Sequence, residues 1–289
     1  MTEFSRSVVG VTGASGHLGR AVIGYLKARG ATRIVAISRT PAQLADIDNI
    51  EVRAGDFSAP DTLDAAFRGI ERLLIVSTDT IGSRIAQHTA AIDAAERASV
   101  NHLLYTSIVA PYPHDKHLVS NDHFWTEARL FRFPGGWTVL RDNLYADLVL
   151  WDAQRTIDSG KLVHASGSGR RSIVSRDDIA ATAAGALLTA TGRELVDVTG
   201  PEALSFADIA AILSRISGKP VEAVGLSLDA YRQGLLAAGL PEALVEAYAG
   251  FEVATARGAL AATSDAVRRF AGREPASLEA LLRTALGGA

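Results

Sequence analysis

Residues 8–20 read Val8-Val9-Gly10-Val11-Thr12-Gly13-Ala14-Ser15-Gly16-His17-Leu18-Gly19-Arg20, a β-branched run that passes through a glycine-rich turn into a segment of helical pattern. Each glycine has its own geometric use. Gly13 permits the tight turn, Gly16 lets backbone amides approach a phosphate, and Gly19 lets the helix pack closely on the strand. The unpaired N–H groups at the start of the helix also attract an anion. The stretch therefore predicts a βαβ unit that binds the pyrophosphate of a dinucleotide.

Apolar runs of strand length alternate with amphipathic segments of helix length through the first half of the chain, as in parallel sheets built from βαβ crossovers. Strands are predicted near residues 7–12, 33–38, 50–54, 72–77, 102–106 and 137–140. Helices are predicted near residues 17–29, 61–67, 84–98 and 121–131. We therefore expect an α/β fold of the Rossmann type, a doubly wound parallel sheet of six strands with helices on both faces.

Helical segments dominate the second half of the chain, with short strand candidates at residues 195–198 and 221–224. No low-complexity tract or long polar linker separates the halves, so we expect them to pack directly together. A dinucleotide-binding domain is predicted over residues 1–150, with a later return of the chain near 160–200. A smaller, mostly helical substrate lobe is predicted over residues 200–289, and the substrate is expected between the two.

The composition limits the partners and the chemistry. The 289 residues carry a formal net charge of −3 without a long basic run, which argues against binding to nucleic acid or to an anionic membrane surface. No stretch reads as a signal peptide or a membrane span, so a cytoplasmic protein is expected. The absence of cysteine excludes disulfides, thiol nucleophiles and thiolate metal sites. The histidines and aspartates of residues 114–123 lack a defined ligand frame, so no metal is expected.

The end of the second predicted strand indicates which dinucleotide binds. An NAD-specific enzyme offers an acidic residue there to the adenosine ribose, whereas this chain reads Ala36-Ile37-Ser38-Arg39-Thr40-Pro41. Arg39 is permanently charged and suited to a 2′-phosphate, and His17 in the glycine turn can add a donor. NADPH is therefore expected in preference to NADH. The alternative is that Arg39 is an ordinary solvated arginine.

Further polar residues follow the third, fourth and fifth predicted strands, where the crevice of such a sheet opens. Asp56 can accept a hydrogen bond from the adenine amino group and Phe57 can line the ring, although a capping aspartate and a core phenylalanine are equally good explanations. Residues 77–78 and 106–107 stand at strand ends toward the nicotinamide half. The residues predicted to bind the cofactor are Gly13, Ser15, Gly16, His17, Leu18, Arg39, Asp56, Phe57, Ser77, Thr78 and Thr106.

The sequence resembles the NmrA-like group of atypical short-chain dehydrogenases, especially type 2 NAD(P)H:quinone oxidoreductases and triphenylmethane-dye reductases. The resemblance covers nearly the whole chain. Its matching stretches are residues 12–19, 55–57, 105–107, 123, 126–127, 140–145, 176–180 and 199–202. It implies NADPH binding and direct hydride transfer to a small-molecule electron acceptor, with no flavin. Whether the protein forms a homodimer is left open.

The resemblance also implies contacts near the nicotinamide and the acceptor around His123 and Tyr145. With Ser107, these side chains are the candidates to stabilise or protonate a reduced quinone, and a structural role is the alternative for the first two. The Tyr-x-x-x-Lys pair of ordinary short-chain dehydrogenases has no credible counterpart. Only Tyr112 and Lys116 have the spacing, and the neighbouring prolines disfavour a helix there.

Asp142 departs from the resemblance, because the relatives usually carry asparagine at this position. An aspartate is expected to place a negative charge close to the cleft and so to change the acceptor preference.

Two other classes of protein remain as readings of the sequence. A non-enzymatic NADP-sensing regulator would bind the cofactor and report its redox state to a partner, without a productive acceptor pocket. A sugar epimerase requires the missing Tyr-Lys pair and is the least favoured reading. The leading prediction is an NADPH-dependent reductase of quinone-like or cationic dye acceptors.

Overall fold

The computed structural model describes residues 6–287 and contains one seven-stranded parallel sheet. The strands of the chain are β1 Val9–Val11, β2 Ile34–Ser38, β3 Glu51–Ala54, β4 Arg72–Ile75, β5 His102–Ile108, β6 Gly136–Asp142, β7 Lys161–His164, β8 Arg170–Arg171, β9 Arg193–Val198, β10 Leu204–Ser205 and β11 Glu222–Gly225. The sheet has the order β3-β2-β1-β4-β5-β6-β9, so its direction of growth reverses between β1 and β4. Ligands of such sheets bind outside the carboxyl ends of the strands at this reversal.

Helices connect the strands and build the carboxyl-terminal part. They are α1 His17–Ala28, α2 Leu63–Phe67, α3 Arg84–Arg97, α4 Leu118–Leu130, α5 Asp147–Leu150, α6 Ala153–Ser159, α7 Arg176–Thr189, α8 Phe206–Ser217, α9 Leu228–Ala237, α10 Glu242–Ala256 and α11 Leu278–Gly287. Short 3₁₀ turns span Pro41–Leu44 and Pro60–Thr62, and a π-helical turn spans Val267–Ala271. Within residues 6–287, none of these helices is long and apolar enough to cross a membrane.

The sheet is covered on both faces, which confirms the doubly wound α/β fold. On one face α1 and α7 bury Ile23, Leu26 and Leu187 against the strands. On the other face α2, α3 and α4 form a separate core that includes Phe67 and Leu130. Strands enclosed between two such layers are continuously apolar, and this is why the sequence pattern located them.

A further apolar core lies outside the sheet. Its members come from α6, α8 and α11, among them Ile157, Leu213 and Leu282. Two small sheets flank it, because β7 pairs in parallel with β11 and β8 pairs in antiparallel with β10. The division into a dinucleotide-binding domain over residues 1–150 and a substrate lobe over residues 200–289 stays a prediction.

The sheet has one strand more than the six expected. Strand β9 lies beside β6 at the edge, with Val139 opposite Leu195. Leu195 is 45% exposed, so this edge strand lacks the fully buried pattern of the central strands β1, β2 and β4. Helix α4 also differs from the expectation, because it begins at Leu118 rather than near residue 121.

Helix α7 yields a test of the packing. Gly185 faces the turn Val267–Ala271, and a Cβ atom there would overlap the backbone carbonyl of Phe270. We expect Gly185→Ala to lower the free energy of unfolding by about 1–3 kcal/mol, because the buried helix cannot move away freely. Urea unfolding followed by circular dichroism measures the change.

Gly24→Ala in α1 is the matched control, since that glycine is exposed and a Cβ atom would meet nothing within 4 Å. It is expected to raise the stability by about 0.5–1 kcal/mol, because alanine favours the helix. Equal effects of the two substitutions would contradict the close approach at Gly185.

Candidate functional site

A cleft of about 380 Å³ opens at the carboxyl ends of β1 and β4, where the order of the sheet reverses. It brings together most of the residues that the sequence singled out. Those that line it are Gly13, Ser15, Gly16, His17, Leu18, Arg39, Asp56, Phe57, Ser77, Thr78 and Tyr145. The remaining three, Thr106, Ser107 and His123, are buried and are not among the described residues that line it.

The glycine turn has the geometry of a phosphate cradle. Gly13 adopts a positive φ of 59°, and a Cβ atom on Gly19 would lie 2.8 Å from the Cα atom of Ala14. Gly16 precedes α1, and within the described chain no side chain caps the helix there and no acidic residue stands in its first turn. The first amides of α1 therefore remain available to an anion. The turn fits the pyrophosphate of a dinucleotide.

The end of β2 forms the next part of the cleft. The hydroxyls of Ser15 and Ser38 lie 2.8 Å apart, and the backbone N–H of Thr40 donates to the Ser38 hydroxyl over 2.9 Å. Arg39 is exposed, and within residues 6–287 no carboxylate pairs with its guanidinium. Among the described residues, a permanent positive charge is therefore without a carboxylate partner at the end of β2, where the sequence predicts contact with a 2′-phosphate.

Asp56 and Phe57 line the cleft, and they also stabilise the turn after β3 and the core, respectively. Asp56 Oδ1 accepts a hydrogen bond of 2.8 Å from the backbone N–H of Ser58, which fixes the turn after β3. Phe57 is 9% exposed and belongs to the core beneath α2 and α3. Both residues therefore have a structural role and also line the cleft.

Thr106 supports the cleft from behind. Its hydroxyl accepts a hydrogen bond of 2.9 Å from the backbone N–H of Ser77, at the turn that follows β4. The next amide of this turn, that of Thr78, donates to His88 Nε2 over 3.0 Å. The turn is thus held by side chains from β5 and α3 while its own residues face the cleft.

His123 lies in the second turn of α4 and not in the first turn as expected. Its Nδ1 is 2.7 Å from the hydroxyl of Tyr105, which also lies 3.2 Å from Nδ1 of His88. Burial and the nearby Arg84 lower the pKa of His88 to about 3 and hold the pKa of His123 well below its usual value. Both rings are therefore neutral, and the described geometry does not favour His123 as a proton donor.

The sequence missed His88, which holds the turn after β4. The signal was its place on the buried face of the predicted third helix, where a polar ring needs partners.

Ser107 belongs to a buried ionic network. Its hydroxyl donates to Glu127 over 2.6 Å, and the same carboxylate pairs with the guanidinium of Arg141 over 2.6 Å. The network ties α4 to β5 and β6. The hydroxyl of Ser107 is thus engaged away from the cleft.

Tyr145 follows β6 and reaches the cleft. The guanidinium of Arg176 lies 5.6 Å from the centre of its ring and forms an ion pair of 3.3 Å with Asp147. Arg176 also lines the cleft, although the sequence assigned it no role. Two features of the sequence could have indicated a role for Arg176. It stands in the matching stretch at residues 176–180, and it is a cation at the start of a helix, where the helix dipole disfavours positive charge.

Asp142 is the last residue of β6 and is only 3% exposed. The hydroxyl of Tyr145 donates to its Oδ2 over 3.4 Å, and among the described residues Oδ1 has no hydrogen-bond partner. Burial raises the pKa of Asp142 well above its usual value. The neutral carboxylic acid is therefore favoured, which differs from the negative charge expected at this position.

Comparison with known proteins identifies the family of the chain. A family described as NAD(P)H-binding matches residues 13–190. The chain is 32% identical to quinone oxidoreductase 2 of Escherichia coli (strain K12) over 276 residues, which cover 94% of this chain and 96% of that protein.

Solved structures show the same architecture. The NADPH complex of an NADPH-dependent quinone oxidoreductase from Escherichia coli has a TM-score of 0.90 at 30% identity, covering 96% of this chain and 100% of that chain. The NADP(H) complex of a triphenylmethane reductase from Citrobacter sp. has a TM-score of 0.86 at 30% identity, covering 96% of this chain and 99% of that chain. The NADP complex of NmrA, a negative transcriptional regulator, has a TM-score of 0.73 at 17% identity, covering 96% of this chain and 95% of that chain. At this identity the likeness shows a common fold and nothing more. The chain therefore belongs to the NAD(P)H-binding family and is an NAD(P)H-dependent oxidoreductase.

Proposed function

We propose that the protein is an NADPH-dependent reductase that passes hydride directly to a quinone-like or cationic dye acceptor, without flavin or metal. One observation carries this proposal. The amino terminus of α1 and the guanidinium of Arg39 face the same cleft, at the reversal of the sheet, and no side chain of residues 6–287 caps the one or pairs with the other. Together they offer separate positions for a pyrophosphate and for a 2′-phosphate.

The other end of the cleft supports an oxidoreductase. Ser77, Thr78 and Tyr145 line it at the carboxyl ends of the strands, where the nicotinamide half of a dinucleotide is expected. When bound, the reduced nicotinamide supplies the hydride. The side chains of this chain then have to orient the acceptor and exclude water. Tyr145 is the catalytic candidate that faces the cleft.

The relatives support the kind of acceptor. One is named a quinone oxidoreductase and another a triphenylmethane reductase, and each aligns with more than nine-tenths of this chain. Both acceptor types are electron-poor and take up hydride directly. Location in the cytoplasm and assembly as a homodimer stay predictions.

The function is tested by mixing the purified protein with NADPH and, in separate samples, menadione, a triphenylmethane dye or no acceptor. We expect the near-ultraviolet absorbance of NADPH to fall only when an acceptor is present, because the acceptor takes the hydride. Loss of the dye colour or formation of menadiol confirms the product. Tight binding of NADPH without turnover of any acceptor would instead support a redox sensor.

The cofactor preference is tested with Arg39→Ala. Loss of a charge-assisted contact of about 1.5–3 kcal/mol predicts roughly 10- to 100-fold weaker binding of NADPH, with little change for NADH. Isothermal titration calorimetry with each dinucleotide measures both constants.

Arg132→Ala is the control for this variant. Arg132 is an exposed arginine of the connection between α4 and β6, at the opposite edge of the sheet. It should leave both affinities unchanged. Equal losses for NADPH and NADH in Arg39→Ala would assign Arg39 to a part of the dinucleotide that both share.

A further inference from the structure

A second, narrow pocket lies beside the nucleotide cleft, between the ends of β5 and β6, the start of α4 and one side of α10. We call it the apolar pocket. It is lined by Ile108, Val109, Ala110, Tyr112, His117, Val119, Ser120, Asp142, Leu144, Ala247, Gly250, Phe251, Ala254 and Leu260. Asp142 lines the pocket and Tyr145 lines the cleft, and the hydrogen bond between these two side chains lies where the two cavities are adjacent.

The titratable groups of the apolar pocket are all held in their neutral forms. Burial raises the pKa of Tyr112 and lowers the pKa of His117, and the two side chains are hydrogen bonded to each other. The third group is Asp142, whose nearest titratable neighbour is the hydroxyl of Tyr145. A pocket without charge favours an uncharged ligand.

Two cations near Asp142 are engaged elsewhere. Arg141, its neighbour on β6, points to Glu127 on α4. Arg176 pairs with Asp147 and covers the ring of Tyr145. Neither compensates a charge on the carboxyl group of Asp142, so the proton stays on it.

Among the described residues that line the apolar pocket, Oδ1 of Asp142 is a buried polar side-chain atom without a hydrogen-bond partner. It is fully buried, and within residues 6–287 no donor or acceptor reaches it. Oδ2 is engaged by Tyr145, so the proton of the neutral acid belongs on Oδ1, the atom without a partner. A buried polar group of this kind is costly unless a ligand completes its hydrogen bond.

We propose that Asp142 is the proton donor to an uncharged, quinone-type acceptor that enters the apolar pocket from the side of Tyr145. This inference rests on the proposed reductase function and narrows its acceptor class from quinones and dye cations to quinones. Asparagine at this position donates a hydrogen bond but has no acidic proton to give.

The step balances as follows. The quinone gains two electrons and one hydrogen as hydride, and the same two electrons leave the reduced nicotinamide. The resulting hydroquinone anion takes the second hydrogen as a proton: the O–H bond at Oδ1 of Asp142 breaks, and an O–H bond forms on the product. Asp142 is left as a carboxylate and regains a proton from water when the product leaves. General acid catalysis of this kind contributes roughly 100- to 10,000-fold.

The protonation state is tested without cofactor. The infrared spectrum of the protein at neutral pH is expected to show the carbonyl stretch of a protonated carboxylic acid, and Asp142→Asn should remove it. Asp197→Asn is the matched control. Asp197 is a half-buried aspartate of the adjacent strand β9 whose pKa burial also raises, and it lines neither cavity. A band that survives in Asp142→Asn and disappears in Asp197→Asn would overturn the proposal.

The catalytic role is tested by the pH profile of menadione reduction. Because the protonated acid is the active form, kcat of the wild type should fall as the pH rises through the raised pKa of Asp142. Asp142→Asn should lower kcat at neutral pH by roughly 100-fold or more and abolish this limb. An unchanged profile in the variant, with the wild type active, would refute the donor role alone. Inactivity of the wild type toward every acceptor would refute the reductase function itself.

Tyr145→Phe separates a donor from a merely structural aspartate. The hydrogen bond from Tyr145 lowers the pKa of Asp142, so its removal should move the alkaline limb to higher pH. A structural role predicts a change in kcat or stability without movement of the limb. The infrared band should persist in this variant, and its loss would contradict the assignment of the proton to Asp142.

Discussion

The contact between the turn after β1 and the first residues of α1 is the constraint on which the site depends. Gly19 lies so close to Gly13 and Ala14 that any side chain would push the helix outward. Only in this position do the first amides of α1 face the cleft, and only then does α7 pack on α1 from outside. The close approach at Gly19 is thus required both for anion binding at the amino terminus of α1 and for the packing of the core.

Burial decides which of the polar groups around the cleft carry charge. Arg39 and Arg176 both line it and are charged, although Arg176 is paired with Asp147. Behind the rim, His88 and His123 are neutral because water is excluded from them. Asp142 is neutral for the same reason. The site therefore combines a charged rim with an uncharged interior.

The parts that could be predicted from sequence are those with a local cause. The glycine turn and the first six strands follow from periodicity and backbone conformation, and the structure contains them. Residues 195–198 of β9 were a strand candidate, but the place of this strand in the main sheet was not predicted, because pairing with β6 depends on the tertiary fold. The surroundings of His123 and Asp142 could not be predicted, because the pKa shift of each depends mainly on burial by the tertiary fold, and that of His123 also on Arg84 and His88 of another helix.

The position of β9 has a consequence for how the protein is made. Its partner β6 ends at Asp142, yet β9 begins at Arg193, and α7, which covers α1, lies between them. A chain emerging from the ribosome can therefore form the first six strands long before the seventh is available. Until then the edge of β6 and the side of α1 that packs against α7 stay exposed, which makes the half-synthesised chain the state most prone to aggregate or to need a chaperone.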